Sequence, residues 1–178
     1  LPAQIAAWPR GRRVRCLRYG SRGQPSRSRA TVRSRSLVHC PPEVLTNGVS
    51  AAVQLTQRGI RTYYTGGRFF GSSTAAGGKI SYDSLDRFHI DMLFFSCYGV
   101  EPKGAIVDPS EEETLLRRHL LRRPITSVFL CDGSKFGKGS IFRVASLDQV
   151  DYMVTDSPLP PAYPLPRRGI LVASQDGT

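Results

Sequence analysis

From residue 41 onward, short apolar runs alternate with amphipathic segments, and this alternation predicts an α/β protein. The predicted elements, in chain order, are a strand ending near Thr46, a helix over about 49–58, a strand near 60–65, a helix near 79–88, and apolar strands within DMLFFSCYG, TSVFLCD, DYMVTD and GILVAS. Such alternation predicts a mainly parallel, Rossmann-like sheet with helices on both faces. In sheets of this kind, ligands bind at the carboxyl ends of the strands.

The segment SEEETLLRRHLLRRP has the clearest helix boundaries in the chain. Ser110 and Glu113 have the spacing of a capping box, arginines occupy the last turn, and Pro124 stops the helix. Its inward stripe is predicted to contain Leu115, Leu116, Leu120 and His119, flanked by Arg117 and Arg118. The preceding VEPKGAIVDP is predicted to be a loop, and the proline-rich SPLPPAYPLPRR a loop or a single helical turn.

The formal net charge of +11 is unevenly distributed along the 178 residues. Residues 1–40 contain ten arginines and no Lys, Asp or Glu, whereas the rest of the chain holds 15 basic and 14 acidic residues. Because the composition changes abruptly at Pro41-Pro42, we predict an Arg-rich segment over 1–40 and one globular domain over 41–178. That domain is nearly neutral, so its charge does not indicate a nucleic-acid-binding fold.

Residues 1–40 show neither helical nor strand periodicity, and three interpretations stay open. They could form a disordered basic arm that binds nucleic acid, or a solvated tail without function. Alternatively, arginine and serine without any lysine or acid is the composition expected of a GC-rich gene translated out of frame. Mass spectrometry of the native protein would separate the third interpretation from the other two.

Four glycine-containing loops follow predicted strands and have the chemistry of an anion site: Thr46-Asn47-Gly48, Thr65-Gly66-Gly67, Tyr98-Gly99-Val100 and Asp132-Gly133-Ser134-Lys135. Glycines let backbone N–H groups approach an anion, and helix N-termini add partial positive charge. Lys135 adds a full charge beside the Ser134 hydroxyl, and the loops together suit a phosphorylated sugar or polyol. The plainer alternative is that the glycines serve turn geometry and that Lys135 is solvated.

Other chemistries find little support in the sequence. Cys97 and Cys131 end apolar runs, and the four cysteines have neither zinc-ligand spacing nor the pattern of a disulfide framework. The Gly66-Gly67 pair departs from a dinucleotide fingerprint, and no catalytic triad is recognisable. We therefore expect no metal and no cofactor. Because no apolar run approaches about eighteen residues and no signal-peptide pattern is found, we expect a soluble, cytoplasmic chain without membrane contact.

Several of these motifs succeed one another as they do in the C-terminal sensor domain of DeoR-type transcriptional repressors. The resemblance spans about residues 43–174 and rests on LTNGVSAAVQL, the Gly66-Gly67 pair with Arg68, FHIDMLFFSCYGVEPKGAIVDP, EEETLLRRHLL, LCDGSKFGKGS and LDQVDYMVTDSPLPP. Its most specific motif is D-x-S-K-F-G at 132–137. The resemblance implies a fold like that of sugar-phosphate isomerases and CoA-transferases. It also implies an effector that is a phosphorylated sugar or a related metabolite.

The resemblance further implies which residues line the effector pocket: Thr46, Asn47, Gly66, Gly67, Gly99, Glu113, Asp132, Ser134 and Lys135. Glu113 matches the family's acidic residue at the start of the long helix, and Arg117 stands where a lysine is common. The family's members are implied to form homo-oligomers and to bind operator DNA through an N-terminal winged helix-turn-helix. That motif is not found here, so we expect this chain alone not to bind an operator.

One region departs from the family pattern. The resemblance implies a first strand followed by an Asp-Ser-Gly-Thr-Thr-like loop about twenty residues before the Thr46-Asn47 pair, and that loop donates hydrogen bonds to phosphate. This region reads RYGSRGQPSRSRA, so we expect the first strand and part of the anion site to be missing.

An enzyme on the same fold, a sugar-phosphate isomerase, is the alternative function. It would need a general base near the C–H proton of the substrate, for which Glu113 or Asp132 could be nominated. Neither residue lies in a recognisable catalytic pair. The sequence therefore favours a sensor domain that is not an enzyme.

Overall fold

The computed structural model describes residues 43–69 and 74–172, together with the backbone of three strands nearer the N-terminus. The helices are α1 (Val49–Gln57), α2 (Lys79–Leu85) and α3 (Glu111–Leu121). The strands are β1 (Ala6–Trp8), β2 (Arg15–Tyr19), β3 (Pro25–Thr31), β4 (Glu43–Thr46), β5 (Arg61–Tyr64), β6 (Arg68–Phe69), β7 (Ala76–Gly77), β8 (Met92–Phe95), β9 (Gly99–Val100), β10 (Ala105–Asp108), β11 (Thr126–Cys131), β12 (Phe142–Ser146), β13 (Tyr152–Thr155) and β14 (Gly169–Val172). Apart from β1, β2 and β3, the predicted Arg-rich segment over 1–40 lies outside the described residues.

Seven strands form the main sheet, in the order β14-β13-β11-β8-β1-β4-β5. Strands β8, β11, β13 and β14 are parallel neighbours, and β4 and β5 form a second parallel pair. Between these two groups lies β1, which runs antiparallel to both β4 and β8. The prediction of a mainly parallel α/β sheet is therefore confirmed, with one strand reversed. Strands β2 and β3, which contain the described part of RYGSRGQPSRSRA, form a separate two-stranded antiparallel sheet.

A second, smaller sheet corrects the prediction of a loop at VEPKGAIVDP. Its order is β12-β10-β9, and β10 is antiparallel to both of its neighbours. Gly104, with a φ of +83°, reverses the chain so that Ala105–Asp108 can pair with β12. The flanking Gly and Pro favoured a loop. The segment nevertheless forms a strand because it pairs with β12, which is distant in sequence, and local propensity does not include such pairing.

The core lies where the main sheet, the small sheet and α3 meet. Phe95 of β8 and Phe129 of β11 are fully buried, with ring centroids 5.2 Å apart. Leu93, Ile106 and Met153 are fully buried in the same cluster. Because burying one such side chain contributes roughly 1.5–3 kcal/mol, this cluster holds the strands, and therefore their carboxyl ends, in a fixed arrangement.

Helix α3 confirms part of its predicted stripe and corrects the rest. Leu116 and Leu120 are fully buried as predicted, but Leu115 is 47% exposed and Arg117 is only 1% exposed. The side chain of His119 is one-third exposed, at the margin of the helix's buried face. The reason is that α3 packs against β8 of the main sheet and against β10 and β12 of the small sheet. The small sheet, which the sequence did not predict, adds the buried surface that Arg117 faces.

The proline-rich segment 157–168 contains no helix or strand, as predicted, and has one turn closed by the Tyr163 N–H and the Pro160 carbonyl. This segment packs onto the small sheet. The Tyr163 hydroxyl donates to the Val100 carbonyl at 3.3 Å, and its ring meets that of Phe136 edge-on. The loop is therefore fixed by specific contacts although it has no regular structure.

Candidate functional site

The carboxyl ends of the parallel strands lie along one edge of the main sheet, as the parallel pairings require. We call this the carboxyl edge. The polar residues that end or directly follow these strands are Thr46 and Asn47 (β4), Thr65 (β5), Ser96 (β8), Asp132 (β11), and Thr155 and Asp156 (β13). Residues far apart in sequence are therefore collected where an α/β sheet binds its ligands.

At the β4 end, Thr46 and Asn47 are both 1% exposed and hydrogen-bonded within the protein. The Thr46 Oγ1 accepts from the Gly48 N–H at 3.1 Å. The Asn47 side-chain amide donates to the Ala76 carbonyl at 3.2 Å, and the Asn47 backbone carbonyl accepts from the Ala76 N–H at 2.8 Å. Asn47 is thus not a simple surface turn residue, because it ties the β4 end to the hairpin of β6 and β7.

Gly66 and Gly67 follow β5 in a backbone conformation that favours glycine, with φ of +70° and +107°. A Cβ on Gly67 would come closer than 3.0 Å to the Gly77 carbonyl oxygen and to Ser81 Oγ. Ser81 in turn donates to the Gly66 carbonyl at 2.5 Å. Close packing against β7 and α2 therefore excludes a side chain at Gly67, whereas at Gly66 it is the positive φ that favours glycine.

Lys135 is buried, with 8% exposure, at the end of β11. Its Nζ donates to Ser96 Oγ at 2.5 Å and lies 3.8 Å from Asp132 Oδ2. The Ser96 hydroxyl in turn donates to the Leu130 backbone carbonyl at 2.7 Å. An ammonium group has three donors, and among the described residues Ser96 is the one hydrogen-bond acceptor that Nζ contacts. The charge is held in place and keeps the capacity to donate to a ligand.

The turn that carries Lys135, Gly133–Lys135, is fixed by carboxylates from two neighbouring strand ends. Asp132 Oδ1 accepts from the N–H of Ser134 at 3.1 Å and from the Ser134 hydroxyl. Asp156, after β13, accepts from the Gly133 N–H at 2.8 Å. These hydrogen bonds hold the backbone of the turn in one conformation. On this turn Ser134 is exposed, and the next residue, Lys135, is buried.

Gly99 begins β9, beside the loop that follows Lys135. A Cβ at Gly99 would come closer than 3.0 Å to the carbonyl oxygen and Cβ of Lys138. The Gly137 N–H donates to the Val100 carbonyl at 2.9 Å, and Lys138 Nζ lies 5.8 Å from the centre of the Tyr98 ring. Gly99 thus allows the two segments to approach closely, which is a packing role.

Glu113 does not face the carboxyl edge as an unpaired acid. It accepts a hydrogen bond from Arg117 Nη2, and Arg117 Nη1 lies 2.9 Å from Asp108 Oδ2. All three side chains are buried. Burial raises the pKa of the Glu113 carboxyl, and the attraction of Arg117 offsets this only in part. We call Asp108, Glu113 and Arg117 the buried ion cluster.

Cys97 lies close to Lys135 and to Arg117 of the buried ion cluster. Burial raises the pKa of its thiol to about 12, while the positive charges of Lys135 and Arg117 act in the opposite direction. Burial likewise raises the pKa of Cys131 to about 12. Both thiols are therefore neutral at physiological pH, and neither is suited to act as a nucleophile. Among the described residues, no group of three His, Cys, Asp or Glu side chains could hold a metal ion.

The structure thus sorts the predicted site residues into separate groups. Asp132, Ser134 and Lys135 form one cluster with Ser96 and Asp156. Thr46, Asn47, Gly66 and Gly67 form a second group around the ends of β4 and β5. The two groups are separate because β1 lies between β4 and β8, which places β4 and β8 two strand-to-strand distances apart, roughly 10 Å. Ser96 and Asp156 were missed, although each follows an apolar run at a strand end and the strand-end rule would have found them.

Comparison with known proteins agrees with the fold and the motifs. The family model described as the DeoR C terminal sensor domain matches residues 35–157. The uncharacterized HTH-type transcriptional regulator YulB of Bacillus subtilis is 32% identical over 120 residues, which are 67% of this chain and 46% of that protein. The L-fucose operon activator of Haemophilus influenzae is 31% identical over 121 residues, which are 67% of this chain and 49% of that protein.

A third relative, the putative aga operon transcriptional repressor of Escherichia coli O157:H7, is 25% identical over 123 residues, 68% of this chain and 46% of that protein. The chain therefore spans about half the length of the curated relatives that it matches. All three are named as regulators of transcription, not as enzymes. Within the described part of the chain, none of the helices has the length and apolar character needed to cross a membrane.

Proposed function

Because the chain belongs to the DeoR family of transcriptional regulators, whose C-terminal sensor domain it carries, we propose that it senses a phosphorylated sugar at the carboxyl edge. In this proposal, Lys135 and Ser134 bind the phosphate, and the backbone around Gly66-Gly67 and Thr46-Asn47 contacts the sugar. The observation that carries the proposal is the buried Lys135 Nζ, held by Ser96 at 2.5 Å.

Burial makes Lys135 a better phosphate-binding group than a surface lysine would be. A buried cation lacks part of its hydration, and it gains more from an anionic partner than an exposed one does. Asp132, the nearest carboxylate, is 3.8 Å from Nζ, which is beyond a strong hydrogen bond. A phosphate oxygen would therefore supply a closer ionic partner than any of the described residues does.

The route from binding to regulation follows from differential affinity. An effector changes the affinity of a regulator for DNA only as far as it binds one conformation better than the other. We propose that the sensor domain acts in a homo-oligomer and that operator DNA is bound by another part of the full-length protein. One relative is named as an L-fucose operon activator, which supports a sugar-related effector.

The test is to measure the affinity of Lys135→Ala for a panel of sugar phosphates and their unphosphorylated parents by calorimetry. Loss of one charge-assisted hydrogen bond of about 1.5–3 kcal/mol should weaken a phosphate ester by roughly tenfold to a hundredfold. The parent sugar should lose little, because it has no charge for Lys135 to bind. Lys103→Ala is the matched control, since Lys103 is exposed and lies outside both groups.

Equal weakening of ester and parent would contradict a phosphate role for Lys135. A panel in which no ester stabilises a cooperatively melting chain would contradict the proposal as a whole, since a ligand at about 100 times its dissociation constant adds roughly 2.7 kcal/mol. An effect of Lys103→Ala as large as that of Lys135→Ala would indicate nonspecific attraction of the anion.

We also propose that the domain is not an enzyme. The two nominated general bases already have internal partners, since Glu113 binds Arg117 and Asp132 caps its own turn. Both interactions favour the charge or position of the carboxylate over proton transfer to a substrate. Deuterium exchange at the carbon next to the carbonyl group of any sugar phosphate that binds should therefore be no faster than without protein. Enzyme-dependent exchange would support the isomerase instead.

A further inference from the structure

A cavity of about 280 Å³ lies at the end of the main sheet opposite to the carboxyl edge. Arg118 and Arg122 reach it from the end of α3, and Arg167 reaches it from the segment just before β14. Because α3 ends shortly before β11 begins, and Arg167 shortly before β14 begins, the cavity is at the amino ends of the parallel strands. It is therefore separate from the Lys135 site.

The described residues do not balance the charge of this cavity. Within residues 43–69 and 74–172, no carboxylate lies within ion-pair distance of Arg118, Arg122 or Arg167, and none lines the cavity. The Arg167 Nε donates to a backbone carbonyl, that of Asp148, at 3.2 Å. The neighbouring Arg168, in contrast, is paired with Asp151 at 3.2 Å. Three positive side chains thus line one small space to which the described part of the chain contributes no counter-charge.

Helix electrostatics explains only part of this arrangement. Arg118 and Arg122 are in the last turn and at the C-cap of α3, where the negative end of the helix dipole favours cations. Arg167 belongs to no helix and comes from a segment 45 residues after Arg122, so the dipole of α3 gives no reason for its position. The convergence of an unrelated third arginine indicates a binding function.

We propose that this cavity is a second anion site, which binds a compact metabolite carrying two phosphate groups. The volume is just below the range of roughly 300–1,000 Å³ for small-molecule pockets, which suits a compact ligand. Guanidinium groups bind phosphate through two parallel hydrogen bonds, which makes arginine the preferred residue for such anions. Gln149 adds a neutral amide, and Leu121 with Val144 adds an apolar wall.

The probe for this site is inorganic pyrophosphate, titrated into the full chain by calorimetry at fixed ionic strength. The variant Arg118→Gln/Arg122→Gln/Arg167→Gln should bind pyrophosphate at least tenfold more weakly than the unaltered chain. All three arginines are exposed, so the variant should keep the circular dichroism spectrum of the unaltered chain. Arg87→Gln is the matched control, because Arg87 is an exposed arginine at the end of α2, outside the cavity.

The Lys135→Ala background separates the two sites, because it removes the phosphate-binding group proposed at the carboxyl edge. In this background one saturable pyrophosphate site should remain, and adding the three Arg→Gln substitutions should abolish its pyrophosphate affinity. Loss of that affinity in Lys135→Ala but not in the triple variant would overturn the proposal, since the anion would then bind only at the carboxyl edge. Absence of saturable binding, or equal weakening by Arg87→Gln, would also overturn it.

A second measurement needs no ligand. Three uncompensated cations repel one another at low salt, and this repulsion is screened as ionic strength rises. Arg167→Gln leaves the two arginines at the dipole of α3 in place, so it should melt at a higher temperature than the unaltered chain at low ionic strength, with the difference shrinking in added salt. An Arg167→Gln variant that melts at a lower temperature at low ionic strength would contradict the charge arrangement on which the site rests.

Discussion

The two ends of α3 carry similar groups of charged residues in opposite surroundings. In its first turn, Glu113 accepts a hydrogen bond from Arg117, and Arg117, which is 1% exposed, also pairs with Asp108. Near its end, Asp86 of the segment after α2 accepts from Arg123 and lies 2.8 Å from His119, and the Asp86 side chain is 55% exposed. Arginine pairs with carboxylate at both ends, and only the access of water differs.

This difference decides what each group does for stability. A buried charge has lost its hydration, so the removal of its partner is costly, whereas an exposed pair is screened and contributes little. The pKa values move in opposite directions for the same reason. Burial raises the pKa of Glu113, and the hydrogen bond to His119 lowers that of Asp86. Burial, not the type of residue, sets the energetic role of an ion pair in this chain.

The largest expected effect comes from Arg117→Met. The substitution leaves Asp108 and Glu113 buried without their cation, which should lower the free energy of unfolding by about 3–5 kcal/mol. Urea denaturation at pH 7 measures this change. Arg118→Met is the matched control, because it removes an exposed arginine from the next position of the same helix and should change stability by no more than about 0.5 kcal/mol.

Losses of stability of similar size in Arg117→Met and Arg118→Met would contradict the distinction between buried and exposed charge. Recovery of stability when Arg117→Met is combined with Asp108→Asn and Glu113→Gln would support it. In that triple variant no buried charge lacks a partner, so much of the lost stability should return.

An intermediate effect is expected at Ser110, the N-cap of α3. Its Oγ accepts from the Glu113 N–H at 3.2 Å, so Ser110→Ala should cost about 1 kcal/mol. Ser110→Asp keeps an acceptor at this position and should stay near the stability of the unaltered chain. If Ser110→Asp is as destabilised as Ser110→Ala in urea, the loss is not due to the cap.

The smallest effect is a contrast in pH dependence. Because the pKa of Glu113 is raised in the folded chain, stability falls as pH rises from 4.5, the ordinary pKa of this carboxyl, through the folded pKa. Over that interval the stability of Glu113→Gln should increase relative to that of the unaltered chain. The lowered pKa of Asp86 gives stability that is present above 3.8 and is lost as pH falls through the folded value. Asp86→Asn should therefore lie below the unaltered chain at neutral pH and approach it in acid.

Thermal unfolding of both variants from pH 3 to pH 7, within roughly the range where these carboxyls titrate, measures the contrast. The two difference curves should slope in opposite directions. Curves of the same sign would mean that the buried ion cluster is open to water, and that the two ends of α3 do not differ as described.

Much of α3 follows from local sequence, and the remainder does not. The Ser110 cap, the stop before Pro124 and the burial of Leu116 and Leu120 were predicted and are confirmed. The capping box is only half formed, because the Glu113 carboxylate turns to Arg117 instead of the N-cap. The burial of Arg117 depends on Asp108 in β10, a strand that the sequence analysis took for a loop.

The candidate site shows the same division. The strand-end rule correctly brought Asp132, Ser134 and Lys135 to the end of β11, because a buried apolar run followed by polar residues marks the end of a strand. The partner of Lys135 could not be predicted from local pattern, since Ser96 is 39 residues away and reaches Nζ only because β8 and β11 are adjacent. The three arginines of the proposed second anion site were not recognised as a group for the same reason.

The local sequence was sufficient to predict the order of the three helices and of the main-sheet strands from β4 onward, the ends of α3 and the family that the motifs resemble. These features depend on periodicity and on residues close in the chain. Only the tertiary structure decided that Arg117 is buried, that β10 is a strand, that Lys135 is held by Ser96, and that Arg167 joins Arg118 and Arg122. Each of these depends on which segments pack together. The physical reason is that desolvation and ion pairing are set by neighbours in space, which a local pattern does not specify.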